Sequence, residues 1–245
     1  MPPQSGCHLD GTGVFGRTLK FCPRLSSFSH DDLVLERSEC RRFFLACCQH
    51  RDHVCHRHPL IFTDGSCLNN GTPAARAGYG VAIGQYEWDQ HAIPADSSSK
   101  RTNNKAELAA ASVGLMIARE DLRESLRLGI SEVHDRQLII ACDSEHVVKG
   151  MTEWLPKWKR NNFKTSRGTT VENAEEFRGL DRIVTECENE GITVGFWRVP
   201  HEYNTLADML AREAAAKDRV QQEDVVGGVT REKIRERLRH HTQCG

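Results

Sequence analysis

The chain has 245 residues, 38% of them hydrophobic, with 33 Lys plus Arg against 34 Asp plus Glu. That length can bury one large core with extensions, and the balanced charge offers no whole-protein attraction to a polyanion, so a nucleic-acid surface would have to come from local clustering. No apolar run approaches the roughly 18 residues that cross a bilayer, and the opening MPPQSGCHLDGTG lacks the basic-then-apolar order of a secretory signal; the expectation is a soluble intracellular monomer, nuclear or cytoplasmic, with no membrane partner.

Residues 1–58 read as an extension. They hold six of the ten cysteines (Cys7, Cys22, Cys40, Cys47, Cys48, Cys55) and, at 47–58, the segment CCQHRDHVCHRH. Structural zinc sites show two separated ligand pairs around a folded spacer, whereas these ligands run together, so zinc is not expected and a poorly ordered appendage is. Within it, DLVLERSECRRFFLACC (32–48) is expected to form one helix.

From residue 59 the pattern becomes regular. A strand at 59–67, the Asn69-Asn70-Gly71 turn, a glycine-rich strand at 77–85 and a third near 86–93 form a meander. Thr102 caps a long helix over 103–124 whose Ala106, Ala109, Ala110, Val113 and Ile117 keep helical spacing. A strand at 137–142, short helices over 144–159, a helix at 172–190, a strand at 191–199 and a last helix at 204–216 complete the domain. Three hairpin strands followed by alternating helix and strand predict an α/β domain, 59–216, with a mixed five-stranded sheet flanked by helices. Nothing in the charged tail 217–245 suggests chemistry.

Two strands end on an acid, in IFTDGSC (61–67) and LIIACDSE (138–145). Asp64 and Asp143 thus fall at strand carboxyl ends, where open α/β sheets collect their ligands, and Glu107 and Asp208 lie in early helical turns that start on the same rim. Any one of these acids alone reads as a cap or a solvated group. Four together repel one another unless protons or cations offset the charge. An all-oxygen set favours Mg²⁺ or Mn²⁺, and two such ions about 4 Å apart activate a water and stabilise the leaving oxygen in phosphodiester hydrolysis.

The pieces TDGSCLNNG (63–71), AGYGVAI (77–83), TNNKAELAA (102–110), CDSEHVVKGMTEW (142–154), W-K-x-N-x-F-K-T (158–165), GTTVENAEEF (168–177) and ADMLAREAA (207–215) resemble, in order and spacing, the type 1 ribonuclease H family. The resemblance implies a ribonuclease H-like fold and an endoribonuclease that hydrolyses the RNA strand of RNA–DNA hybrids by two-metal-ion catalysis, leaving 5′-phosphate and 3′-hydroxyl ends. It implies that Asp64, Glu107, Asp143 and Asp208 bind the metal. By the same resemblance, Asn69, Asn103 and Asn104 read the RNA strand, Lys100, Thr102 and Asn173 grip a DNA phosphate, and Trp154, Trp158 and Ser166 line the path of the DNA strand.

Independently of the resemblance, Lys157, Lys159, Arg160, Lys164 and Arg167 fall between Trp154 and Thr170 with no acid among them and with Trp158 and Phe163 interleaved. Basic plus aromatic is the composition of a nucleic-acid surface. One stretch departs from the family. Where a Gly-His-x-Gly loop usually precedes the final aspartate by about ten residues, this chain reads VPHEYNTLAD, with His201 seven residues before Asp208 and no flanking glycine. His201 is the candidate for assisting the leaving group, Glu202 a partial substitute, and Asn204 the expected cap of the last helix. The alternative is a catalytically weak or inactive ribonuclease H-like module that binds nucleic acid.

Overall fold

Period-2 apolar runs and capped amphipathic stretches become, in a computed structural model that describes residues 13–38, 40–46, 58–95, 101–129 and 137–217, the following elements. In chain order they are β1 (Gly13–Phe15), β2 (Thr18–Lys20), the short helix α1 (His30–Leu33), β3 (Val34–Glu36), β4 (Phe43–Leu45), β5 (Leu60–Leu68), β6 (Arg76–Ala82), β7 (Gln90–Pro94), α2 (Asn103–Arg127), β8 (Gln137–Cys142), α3 (Glu145–Lys149), a π-helical turn (Gly150–Trp154), α4 (Leu155–Arg160), α5 (Ala174–Asn189), β9 (Thr193–Arg198) and α6 (Thr205–Ala216). Two 3₁₀ turns, Glu87–Asp89 and His201–Tyr203, stand before β7 and α6.

The sheet runs β1-β2-β9-β8-β5-β6-β7. β5, β6 and β7 are antiparallel, while β8 joins β5 and β9 joins β8 in parallel. The mixed α/β architecture is therefore the one expected, with the five expected strands at its centre. Every residue of β8 is buried, as a central parallel strand covered on both faces requires.

One face of the sheet, with Ile61, Val81, Leu138 and Ile140, packs against α2 and α5 through Leu108, Leu115, Phe177 and Leu180. The other face, with Leu60, Phe62, Ile139, Ala141 and Trp197, is covered by α6 and by the N-terminal segment through Leu19, Leu25, Leu33, Phe43 and Leu45. This corrects the expectation of a poorly ordered 1–58 for residues 13–38 and 40–46. A twelve-residue α6 does not cover that apolar face alone, and the hydrophobic effect draws in the segment that does. β1 and β2 add a hairpin beside β9, bringing the sheet to seven strands among the described residues. The helix expected over 32–48 is instead α1 followed by the β3–β4 hairpin, in which Phe43, Phe44 and Leu45 are all buried. A half-buried Arg42 ties this segment down, donating to the buried Asp89 at 2.8 Å and to the buried Asp121 of α2 at 3.0 Å.

Candidate active site

Backbone geometry brings the first three acids together. In the parallel pair β5–β8, Phe62 lies opposite Ala141; two residues on, with the side-chain period of two, Asp64 and Asp143 emerge side by side on the same face. Gly65 then admits α2: a Cβ there would lie 2.1 Å from the backbone carbon of Ala106 and the nitrogen of Glu107. That close approach lets the Gly65 N–H donate to Glu107 Oε2 at 3.2 Å. The start of α2 is fixed as expected, with the Thr102 hydroxyl accepting from the Lys105 N–H at 3.4 Å. Carboxylate oxygens of Asp64, Glu107 and Asp143 all lie within 4.8 Å of one another.

The electrostatics follow from that crowding. Burial, then the charges of Asp143 and Asp208, push the Asp64 carboxyl up to about 7. Burial, then Asp64 and Asp143, push Glu107 up to about 9, against the opposing Gly65 hydrogen bond. Two carboxyls that resist ionisation, beside a third within 4.8 Å, are a set that a divalent cation completes.

Asp208 stands beside this trio rather than within it. Its Oδ1 accepts from Arg212 Nε at 2.8 Å, one helical turn along α6, and its charge raises the Asp64 pKa through space. α6 reaches the sheet because β6 is rich in glycine: a Cβ on Gly80 would lie 2.0 Å from the Ala207 carbonyl oxygen. His201 opens the 3₁₀ turn after β9, exposed to solvent, with its ring Nδ1 2.7 Å from Asp143 Oδ2. That hydrogen bond holds the imidazole above its ordinary pKa. Glu202 stands exposed on the same turn.

Asn204 has a role that its sequence position did not disclose. It precedes α6 as expected, and its carbonyl accepts from the Asp208 N–H at 3.0 Å. Its side chain makes no cap. Instead, buried to 1% exposure, its Nδ2 donates to the Thr63 carbonyl at 3.1 Å, to Asp143 Oδ1 at 3.2 Å and to Asp64 Oδ1 at 3.4 Å. One amide thus holds two of the three carboxylates in register.

The nucleic-acid candidates form two groups. Thr102, Asn103 and Asn104 begin the helix that carries Glu107, with both asparagines exposed. Trp154, Trp158 and Asn173 gather around His146 and Phe177. Trp154 lies 5.9 Å from the His146 ring and 5.7 Å from Trp158, while Trp158 meets Phe177 edge-on at 4.9 Å. Asn173, in the left-handed region at φ 56°, sets its Nδ2 3.4 Å from His146 Nε2. Sequence reading passed over His146, three residues beyond Asp143, whose pKa burial lowers. Asn69, in the turn after β5 at φ 53°, and Ser166 are exposed and belong to neither group. Of the basic run, Lys157, Arg160 and Arg167 are exposed, Lys159 pairs with Asp181 at 2.8 Å, and Lys164 donates to Thr170 at 3.3 Å. Lys100 and the Cys/His segment at 47–57 lie outside the described residues.

The mixed sheet with a largely buried all-carboxylate cluster on its carboxyl rim defines the class: an α/β domain whose donor set suits a divalent cation. Residues 56–216 match the RNase H family. Among curated relatives, the chain is 31% identical over 164 residues to a ribonuclease H of Schizosaccharomyces pombe, covering 67% of this chain and 55% of the relative. It is 31% identical over 159 residues to a ribonuclease H of Vibrio campbellii, covering 65% of this chain and 90% of that one. Against mouse ribonuclease H1 it is 32% identical over 162 residues, 64% of this chain and 50% of the relative. It therefore spans about half the length of the yeast and mouse proteins and nearly all of the bacterial one. Among solved structures, the RNase H domain of PFV aligns at 22% identity with a TM-score of 0.44, over 64% of this chain and 93% of that one. The chain belongs to the RNase H family, and residues 56–216 are its ribonuclease H domain.

Proposed function

We propose that this chain is a ribonuclease H endonuclease that hydrolyses the RNA strand of RNA–DNA hybrids, leaving 5′-phosphate and 3′-hydroxyl ends. The observation that carries the reading is the trio Asp64, Glu107 and Asp143, with ligand oxygens within 4.8 Å and two carboxyls held above their ordinary range. The hard, all-oxygen donor set fits Mg²⁺ or Mn²⁺ and not zinc. Asp64, Glu107 and Asp143 would hold the ions, with Asp208 completing the set. When bound, paired divalent cations supply Lewis-acid activation of the attacking water and neutralise charge at the departing oxygen.

The protein's own groups do the remaining work. Asn204 keeps Asp64 and Asp143 aligned through its two carboxylate hydrogen bonds. His201, anchored at Nδ1 by Asp143, can deliver a proton from Nε2 to the leaving 3′-oxygen. Asn69, Asn103 and Asn104 would address RNA 2′-hydroxyls, which both donate and accept. Lys100, Thr102 and Asn173 would hold a DNA phosphate, and Trp154, Trp158 and Ser166 the deoxyribose side of the hybrid, with Lys157 and Arg160 adding charge. The protein would act on this substrate as an intracellular monomer, with 59–216 as the catalytic unit.

The second reading, a hybrid-binding module with weak or absent catalysis, is favoured by one feature, the three-residue turn His201–Tyr203 in place of a longer loop. An end-labelled RNA–DNA hybrid, offered beside single-stranded RNA, double-stranded RNA and double-stranded DNA with Mg²⁺, Mn²⁺ or chelator, separates the two. Cation-dependent cutting of the hybrid alone supports the enzyme. Binding without cutting supports the module.

A further inference from the structure

We infer that the N-terminal segment acts as a positioning element of the active site, with His30 as the residue that holds the His201–Tyr203 turn in place. The proposal rests on the reading of that site as a nuclease centre.

Both ends of the turn reach the carboxylates: His201 touches Asp143 at 2.7 Å, and Asn204, which follows directly, touches Asp143 at 3.2 Å and Asp64 at 3.4 Å. Little within the turn itself fixes it. Its own backbone bonds are Tyr203 N–H to the Pro200 carbonyl at 3.0 Å and Asn204 N–H to the His201 carbonyl at 2.9 Å, and single 3₁₀ turns with i to i+3 bonds are poor at holding one conformation.

A further restraint, on the middle of the turn, comes from residues 21–33. The Tyr203 ring stacks on His30 with centroids 4.8 Å apart and planes at 27°. His30 stacks in turn on Trp197 of β9 at 5.5 Å and 9°, and Phe21 meets the edge of Trp197 at 5.4 Å. The Tyr203 hydroxyl donates to Asp31 Oδ2 at 3.4 Å. α1, which carries His30 and Asp31, is itself immobilised. Ser29 and Asp32 form a reciprocal capping box at its start, and Leu33 is buried in the core beneath the sheet. A rigid pedestal thus grips Tyr203, and Tyr203 lies between the two residues that touch the metal-site carboxylates. The short His201–Tyr203 turn is thus clamped from outside the catalytic unit.

His30→Ala and His30→Phe in the full chain test this. Hydrogen exchange at the Tyr203 and Asn204 amides reports the turn without any substrate, and kcat and KM on an RNA–DNA hybrid report its consequence. Loss of one aromatic stack should raise exchange at Asn204 by about tenfold, with β8 amides unchanged. For the same variant kcat should fall by about tenfold and KM change by less than about twofold. His30→Phe, which restores an aromatic face, should return both to near wild type. Tyr203→Leu, which removes the stack from the other side, should reproduce the His30→Ala pattern and serves if that variant folds poorly. Wild-type exchange and kcat in both variants would overturn the proposal, as would a kcat loss that His30→Phe does not recover. If the wild-type chain does not cut the hybrid, the nuclease reading fails, and exchange at Asn204 still decides whether His30 holds the turn.

Discussion

Replacing Asp64 with Asn should remove cleavage and yet stabilise the cation-free protein at neutral and alkaline pH. Asp64 is 5% exposed and shares a 4.8 Å cluster with two other carboxylates. Its pKa rises on folding from 3.8 to about 7. A folded value above the unfolded one means that the folded state holds the extra proton in between. The stability this contributes is full below pH 3.8 and is lost as pH rises through about 7. A rise from 3.8 to about 7 is worth about 4 kcal/mol at about 1.36 kcal/mol for each tenfold change in proton affinity. Glu107 and Asp143 share the same repulsion, and the amide keeps an oxygen for Asn204, so the variant should gain about half of that, roughly 2 kcal/mol, at about pH 8. For a chain of this size that is a rise in Tm of roughly 4–8 °C. Thermal and urea unfolding in chelator at about pH 4 and pH 8 would measure it. The gain should appear at the higher pH and shrink at the lower, and Mg²⁺ should raise the wild type more than the variant. A variant less stable than wild type at pH 8 in chelator, or a difference indifferent to pH, would mean that carboxylate repulsion does not strain the cation-free site.

Asn204→Ala removes the donor shared by Asp64, Asp143 and the Thr63 carbonyl; hybrid cleavage should drop by at least about tenfold and stability by about 1–3 kcal/mol in urea titrations. Lys157→Glu with Arg160→Glu should weaken hybrid binding and reduce the slope of log affinity against log salt by about one for each phosphate no longer neutralised, with kcat at saturating hybrid near wild type, read by fluorescence anisotropy at several salt concentrations and by steady-state kinetics. Lys159 is a poorer choice because Asp181 already engages it. Arg42→Met should destabilise the fold by about 3–5 kcal/mol in urea, because it withdraws the guanidinium from between the buried Asp89 and Asp121 carboxylates.

The elements that place the three clustered acids were legible in the sequence because each rests on a local signal. The apolar runs before Asp64 and Asp143 read as buried strands, Thr102 read as a cap, and the small residues of α2 kept helical spacing. The β6 glycines read only as a glycine-rich strand, and the close approach of α6 at Gly80 came from tertiary packing. The N-terminal segment was misread because its strands are three residues each and have no period of their own; they form because Trp197, Phe62 and Ile139 present an apolar face that needs cover. Asn204 looked like a cap because asparagine before a helix usually is one, and only tertiary packing turns its amide toward Asp64 and Asp143. His201 stood out by its departure from a familiar spacing, but its 2.7 Å approach to Asp143 follows from where β9 ends relative to β8, which no local pattern encodes. The pairing of Asp208 with Arg212 was readable as an i, i+4 spacing.

Binding and cutting of one end-labelled RNA–DNA hybrid in Mg²⁺, measured for the wild type and for Asp143→Asn, test the carboxylate cluster as a nuclease centre. Asp143 sits at the junction of the cluster, touched by His201 and Asn204, and contributes nothing to the basic protrusion. The variant should bind the hybrid with near wild-type affinity and cut it at least about a thousandfold more slowly. Cutting at the wild-type rate would rule out Asp143 as a metal ligand of a nuclease centre.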